Sequence, residues 1–456
     1  MNKIIKVMVA GAILAIGAVS ASAQNTYSAY FLDNYLYRHQ MNPAFGNESG
    51  FVGFPVLGNI NAGMRGNLHI DDVLYNIDGK TSLFTNPNIS VSEAMGKFED
   101  KNRLGFDLKL DLINVGFKAF GGYNTVGINL YTGAEVSIPK SFFSLLKEGI
   151  SNKTYSIEDL GAHADAYAEI ALNHSHDIKQ VPGLRVGGTL KFLVGLGSLD
   201  AEFKNAKLNL GVDKWSIESN ADLYAAVKGM TFKYGHDDGS RYVDGFDMDG
   251  FGVNGFGMGL DLGATYKYRD FNFSLAVLDL GFMNWSNALH ASTKGVKKFE
   301  LDKYAFDVTG NDKDDNGDST WDNMRDDLAK LYQLEDDSKT SRTDALAATI
   351  NVGVEYELPY YRRLHFGLLN STHIDGPWTW TQFRLSANVR PVDILSASAN
   401  VAIGTYGFDF GWMLNLCLKK GFNLFAGMDH CLGKLTKDGI PLNSNAKFNF
   451  GISFPF

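Results

Sequence analysis

Residues 445–456 read NAKFNFGISFPF. Side chains on an extended chain alternate between two faces. Ala446, Phe448, Phe450, Ile452, Phe454 and Phe456 therefore share one face, which is wholly apolar. Asn445, Lys447, Asn449, Gly451, Ser453 and Pro455 share the other, which is small or polar. A terminal strand of a soluble domain has little reason to turn so many aromatic rings one way. A transmembrane barrel strand does, because its outer face meets lipid and its inner face meets water or a polar plug. The expected fold class is all-β, a transmembrane antiparallel β-barrel. The stretch 445–456 is its closing strand, which must pair with the first to remove the free edge.

The same alternation recurs along the chain. Leu104, Phe106, Leu108, Leu110 and Leu112 alternate with Arg103, Gly105, Asp107, Lys109 and Asp111. Phe256, Met258, Leu260, Leu262, Ala264, Tyr266 and Tyr268 alternate mostly with glycine. Leu346 to Tyr356 and Tyr406 to Leu416 behave alike, and weaker versions run through 126–136, 164–174, 184–196, 217–227, 383–389 and 395–403. A soluble sandwich also alternates, but these apolar faces reach the roughly 9–11 residues that a tilted strand needs to cross a bilayer. Counting back from Phe456, short turns (419–421, 390–394, 358–363, 269–270) fall on one side, and the insertions 229–254 and 285–343 fall on the other. Short periplasmic turns and long external loops follow the rule for outer-membrane barrels. The count comes to 14–16 strands; the short stretches near 113–121 and 200–212 either merge with neighbours or leave the wall.

The composition agrees. The 456 residues include 49 Gly, 32 Phe and 20 Tyr against 10 Pro, and mean hydropathy is -0.13. Glycine thins an inner wall while aromatics coat an outer one and its interfacial girdles. Residues 1–23 read as a secretory signal: Lys3 and Lys6 precede an apolar core, and Ala21-Ser22-Ala23 precedes Gln24. No later run reaches the ~20 apolar residues of a membrane helix. Losing Lys3 and Lys6 takes the formal charge from -9 to -11, which gives no support to nucleic-acid binding. The expected organisation is signal 1–23, a plug or periplasmic segment 24–57, and a barrel 58–456 with 229–254 and 285–343 as long external loops. Residues 138–151 and 321–335 carry helical patterns. Cys417 and Cys431 are expected as free thiols, because a hairpin around Lys420 sets Cys417 opposite a residue near 423.

Asn42-Pro43-Ala44-Phe45 resembles the N-terminal Asn-Pro-Ala element of FadL-like transporters of hydrophobic compounds. Three segments together, IPKSFFSLLKEG (138–149), AYAEIALNHSHDI (166–178) and LRVGGTLKFLVG (184–195), resemble a family of outer-membrane proteins of Bacteroidota-type bacteria with no agreed activity. The resemblance implies a FadL-like barrel of about fourteen strands, closed partly by its N-terminal segment. It also implies recognition of the terminal aromatic by the barrel-assembly machinery.

Candidate chemistry is sparse. Asp312, Asp314, Asn316, Asp318 and Thr320 set oxygen side chains at alternate positions around Gly317, as a calcium loop does. The twelfth position is Asn323 rather than a bidentate Glu, so any affinity for Ca2+ is expected to be weak; no other cofactor is expected. The alternative is a solvated acidic loop. Loop 235–250, GHDDGSRYVDGFDMDG, reads as a mobile surface loop. His174-Ser175-His176 suggests a hydrolase, but neighbours in a strand point to opposite faces; no enzyme is expected. Arg103, Asp107, Lys109, Asp111, Arg185, Lys191, Glu355, Arg384 and Arg390 mix both signs on the inner face, suiting salt bridges to a plug more than an ion-selective pore. Phe120, Tyr131 and Leu193 offer instead a greasy luminal path. Two functional expectations follow. One is a FadL-like channel that admits or handles hydrophobic small molecules and contacts outer-membrane lipid. The other is a surface scaffold or secretion accessory, engaging an exported protein or glycan through its loops.

Overall fold

The computed structural model describes residues 26–77, 79–149, 152–204, 206–210, 215–237, 240–300, 320, 323–324, 327, 330–331, 333–418, 420–431 and 445–456. Fourteen antiparallel strands close into a barrel. In chain order they are β1 (Phe51–Gly53 and Ile60–Gly66), β2 (Lys101–Ala119), β3 (Gly122–Pro139), β4 (Gly161–Asp177) and β5 (Leu184–Phe203). Next come β6 (Ala221–Val227 and Gly255–Tyr268), β7 (Phe271–Ser292), β8 (Glu335–Ala345 and Ala348–Glu357), β9 (Leu364–Ile374) and β10 (Trp380–Val392). The set ends with β11 (Leu395–Gly404), β12 (Gly407–Cys417), β13 (Asn423–Asp429) and β14 (Ala446–Pro455). Each strand pairs with the next, and β14 returns to β1 with Pro455 opposite Phe51 and Phe450 opposite Ile60. All-β architecture and strand number match the expectation, at its lower bound.

The alternation read in 445–456 is the inside–outside division of the wall. Asn445, Lys447, Asn449 and Ser453 are buried in the lumen, while Phe448, Phe454 and Phe456 are exposed on the outer surface. Phe256, Met258, Leu368, Leu385, Ile403 and Leu414 continue the apolar belt. Tyr266, Tyr268, Tyr360 and Tyr361 gather at the end with short turns, where an interfacial girdle belongs. No helix among the described residues is long and apolar enough to cross a membrane.

The other end carries the long connections. Lys153–Ser156, Lys207–Leu210, Trp215–Ser219 and Lys297–Glu300, supplied by three different loops, form one four-stranded antiparallel sheet. Three short helices lie nearby: α1 (Ile70–Val73), α2 (Val91–Met95) and α3 (Lys140–Glu148). Ser90 caps α2 through the Glu93 amide. The predicted helix over 138–151 is α3, ended by Gly149 at φ 68°. It buries Phe143, stacked on Phe98 at 3.9 Å, in a satellite core with Phe84 and Met95. In the predicted helix 321–335, the described residues 323, 324, 327 and 330 are helical.

The short stretches behave as expected: 113–119 merges as the end of β2 and 200–203 as the end of β5, each following a one-residue bulge, while Lys207–Leu210 leaves the wall. Two expected boundaries are corrected. The insertion 285–343 shrinks to 293–334, because β7 runs on to Ser292 and β8 starts at Glu335. The wall begins at Phe51, so the N-terminal segment ends earlier than 57.

The insertion 229–254, expected as a long external loop, is an ordered hairpin. It leaves the wall in mid-strand, between the two collinear pieces of β6, and folds as a hairpin of Met230–Asp237 and Ser240–Met248. The wall stays closed beneath it: the Asn254 amide donates to Gly195 at 2.8 Å, and the Asn254 carbonyl accepts from Ser286 at 2.8 Å. Phe232, with Met230, Tyr234, Val243 and Phe246, covers Leu199, Leu223, Ala225, Leu289 and Ala291. Those wall residues alternate with Asp200, Tyr224 and His290, which meet each other's strands in the lumen, so the hairpin lies on the outside. Its far face is charged, with Lys233 2.7 Å from Asp247. Here the hairpin covers the apolar outer surface of the wall.

Candidate functional site

Residues 26–50 run inside the barrel and fill its short-turn half. Tyr30, Phe31, Tyr35, Leu36, Tyr37 and Met41 form the central core of the molecule, against Phe51, Leu369, Met413 and Phe425 of the wall. The ring contacts are edge-on, as between Tyr35 and Phe425 at 4.9 Å and between Tyr37 and Phe51 at 5.2 Å. A buried segment whose only regular structure is two single 3-10 turns, Tyr27–Ala29 and Arg38–Gln40, must find further partners for its backbone elsewhere, and the wall supplies them. Asp429 accepts from the amides of Tyr27 and Ser28. Asn351 donates to the Met41 carbonyl at 2.9 Å and Asn415 to the Asn34 carbonyl at 3.0 Å. Burial, with Lys109 close by, pushes the His39 imidazole down to about 3.

The structure makes Asn42-Pro43-Ala44-Phe45 the clamp of this segment. The Asn42 side chain accepts from the Ala44 amide at 2.9 Å, closing a local turn, and donates to the Leu275 carbonyl at 3.2 Å. Asn173 donates to the Pro43 carbonyl at 3.1 Å, and Arg185 Nε to the Ala44 carbonyl at 2.9 Å. Phe45 lies under the Arg38 guanidinium, 4.1 Å away. The backbone reaches the wall this closely because Gly187 has no side chain: a Cβ there would stand 2.2 Å from the Pro43 carbonyl oxygen.

Above the segment, a polar cavity of ≈ 50 Å³ is lined by Tyr27, His39 and Gln40 together with Lys109, Glu169 and Lys191 of the wall. Lys191 gathers Asp279 at 2.6 Å, Asp261 at 2.9 Å and Glu169 at 3.6 Å. Asp279 reaches the lumen because it is the extra residue of a bulge in β7, at φ 60°, and its amide donates to Asp261 at 2.8 Å. An apolar layer of Tyr131, Tyr167, Leu193, Met283 and Trp285 follows, with Leu346 packed against it. Tyr131 and Tyr167 stack at 5.1 Å. Over this floor, under the external loops, opens a vestibule of ≈ 460 Å³ lined by Tyr167, Trp285, Trp378, Arg342 and eight carboxylates.

The sequence-based candidates fall in different places. Of the calcium loop, Asp312, Asp314, Asn316 and Asp318 lie outside the described residues, and Thr320 is helical. The signal 1–23 lies outside them too. His174 and His176 share the outer face, 3.2 Å apart, whereas Ser175 points inward and accepts from Arg185 at 3.0 Å. The three make no nucleophile–base pair. Tyr131 and Leu193 are luminal, but Phe120 is not: it occupies the β2–β3 turn, 88% exposed. Cys417 and Cys431 are free, with Cys417 opposite Asn423. Some inner-face ions pair, but across the wall and not with the luminal segment: Lys447 with Asp107 at 3.1 Å and Arg384 with Asp429 at 3.2 Å. The vestibule went unread because Trp285 sat at the edge of the supposed loop 285–343. Its sequence signal is the run Gly281, Met283, Trp285, a continuation of the inward face of β7.

Among solved structures the chain is similar to the toluene transporter TbuX of Ralstonia pickettii, at 10% identity and a TM-score of 0.41. The toluene transporter TodX of P. putida gives 8% and 0.39, and a FadL homologue of Pseudomonas aeruginosa 8% and 0.41. Each of these alignments covers 91% of this chain and 92% of the other. No curated protein matches the sequence. The model of the Family of unknown function (DUF5723) matches residues 43–429, most of the chain, and the protein belongs to that family.

Proposed function

We propose that the protein is an outer-membrane channel that admits small molecules with an apolar body, gated by residues 26–50. One observation carries the reading. A vestibule of ≈ 460 Å³ ends on an apolar floor, and below that floor and a polar layer lies a segment held in the lumen by side-chain hydrogen bonds and not by strand pairing. Such a segment can move without opening the wall, so a gate and a rigid barrel coexist. The shape and volume of the vestibule suit one ligand of modest size. The polar cavity and the Lys191 cluster interrupt the apolar lining below, so passage requires the segment and this layer to rearrange together.

Conductance across planar bilayers tests the gate. Removing residues 26–47 from the mature chain should convert a closed barrel into one with stable open steps, and unchanged conductance would refute it. A second reading rests on the four-stranded sheet assembled from three external loops. Order of that kind, away from the membrane, suits a platform for an exported protein or a glycan. Deleting 206–219 should abolish retention of such a partner and leave the conductance of the plugless barrel unaltered.

A further inference from the structure

We infer that the vestibule binds an organic cation with an aromatic or apolar body, the charge held by its walls and the body by its floor. This names the ligand class of the site already proposed as the channel mouth, and rests on that reading.

The first observation is the bookkeeping of charge. Among the lining carboxylates, Asp200 and Asp344 are occupied by Arg342 at 2.8 and 2.7 Å, and Asp200 also by His163 at 3.4 Å. Asp159 is held by Lys101 at 3.0 Å, and Asp279 by Lys191. Asp375 has only a distant contact with His373, at 4.0 Å. Glu135, Asp165 and Glu202 line the same cavity without an ion-pair partner among the described residues, and Glu135 Oε2 is buried and accepts no hydrogen bond. Against these stands Arg103, the one lining guanidinium among the described residues that is outside any ion pair. The walls therefore carry more carboxyl groups than the cationic side chains beside them can pair.

The second observation is independent of the acids. Tyr167 is 9% exposed and Trp285 only 2%, both residues line the vestibule, and among the described residues neither the Tyr167 hydroxyl nor the Trp285 indole N–H has a hydrogen-bond partner. Both face a cavity large enough for a ligand, beside an aromatic floor. Ring faces attract cations and stack on aromatic bodies.

The alternatives fit less well. A neutral hydrophobe would dehydrate Glu135, Asp165 and Glu202 without compensating them, which costs free energy. An anion would meet repulsion from the same groups. A neutral sugar could use the rings and the hydrogen-bonding atoms, but not the surplus carboxyl groups.

The test uses the full mature protein in detergent and isothermal titration with four probes: benzyltrimethylammonium, toluene, phenylacetate and glucose. Benzyltrimethylammonium should bind at least about tenfold more tightly than the other three, and more weakly as salt is raised. Glu135→Gln combined with Asp165→Asn should reduce its affinity about tenfold, and Trp285→Leu should weaken it comparably. Heat-modifiable gel migration identifies the variants that remain folded barrels. Equal or tighter binding of toluene or glucose, or a folded carboxylate variant with unchanged affinity, would overturn the inference. Failure here is separable from failure of the channel. If conductance opens on deletion of 26–47 but the cation is not preferred, the channel stands and this ligand class falls. If the cation binds selectively but deletion changes no conductance, the site is real and the gate is wrong.

Discussion

The Tyr27 amide donates to the Asp429 carboxylate at 2.7 Å, joining two residues 402 apart in sequence. Asp429 sits at the end of β13, fully buried, with Arg384 Nη1 3.2 Å away. One carboxylate thus holds the beginning of the luminal segment and balances a buried guanidinium. Removing one partner of a buried pair costs on the order of 3–5 kcal/mol, because the other charge is left stranded. Asp429→Ala should therefore release the first turn of the segment. The expected result is frequent channel openings in planar bilayers at unchanged barrel migration on gels.

At the other end of the segment, Gly187 matters for what it lacks. Its missing Cβ would stand 2.2 Å from the Pro43 carbonyl oxygen and 2.7 Å from the Ala44 amide nitrogen. Both are backbone atoms, so neither can swing aside. Gly187→Ala should push the Asn42–Phe45 turn off the wall. Protease cleavage within 26–50 of the detergent-solubilised protein should rise severalfold, with the strands still protected.

Docking of the segment should weaken in acid. The imidazole of His39 lies near 3 when docked, because burial and then Lys109 disfavour its charged form. Released into water it returns to about 6.5. Between those values only the released form takes up the proton, so the stabilisation is complete above about pH 6.5 and falls as pH drops toward 3. The loss approaches about 1.4 kcal/mol per pH unit. Open probability should rise from pH 7.5 to pH 5, and His39→Phe should flatten that dependence. A response unaltered by the substitution would assign it to other groups.

Phe232 is the main side chain fastening the 228–254 hairpin to the outer wall. Deleting a buried aromatic ring costs on the order of 3–5 kcal/mol. Phe232→Ala should loosen the hairpin and uncover Leu199, Leu223 and Leu289. Limited proteolysis should then cut inside 228–254, and detergent or dye binding to the apolar patch should increase, without loss of the barrel.

Much of this was legible in the chain alone. Period-two alternation is a local property, so residues 445–456 declared their lipid and luminal faces without reference to any partner. The inward set Asp107, Lys109, Lys191 and Arg384 followed in the same way, as did the turn at Lys420 and the helix beginning after Pro139. Asn42-Pro43-Ala44-Phe45 marked the luminal segment through resemblance, and the structure shows the side-chain hydrogen bonds that make it a clamp. What tertiary structure decided is where parity breaks and which distant groups meet. A bulge adds one residue and reverses the faces beyond it, as after Ala166 opposite β5 and at Asp279 in β7, and no periodic pattern announces it. Asp279 joins Lys191 across 88 residues only because that bulge turns it inward. The hairpin 228–254 carries the composition of a loop, yet closure of β6 beneath it and the apolar wall at Leu223 and Leu289 place it outside the barrel. Alternation is written residue by residue; the vestibule depends on strands from all around the ring arriving in one register, and only the closed barrel fixes that.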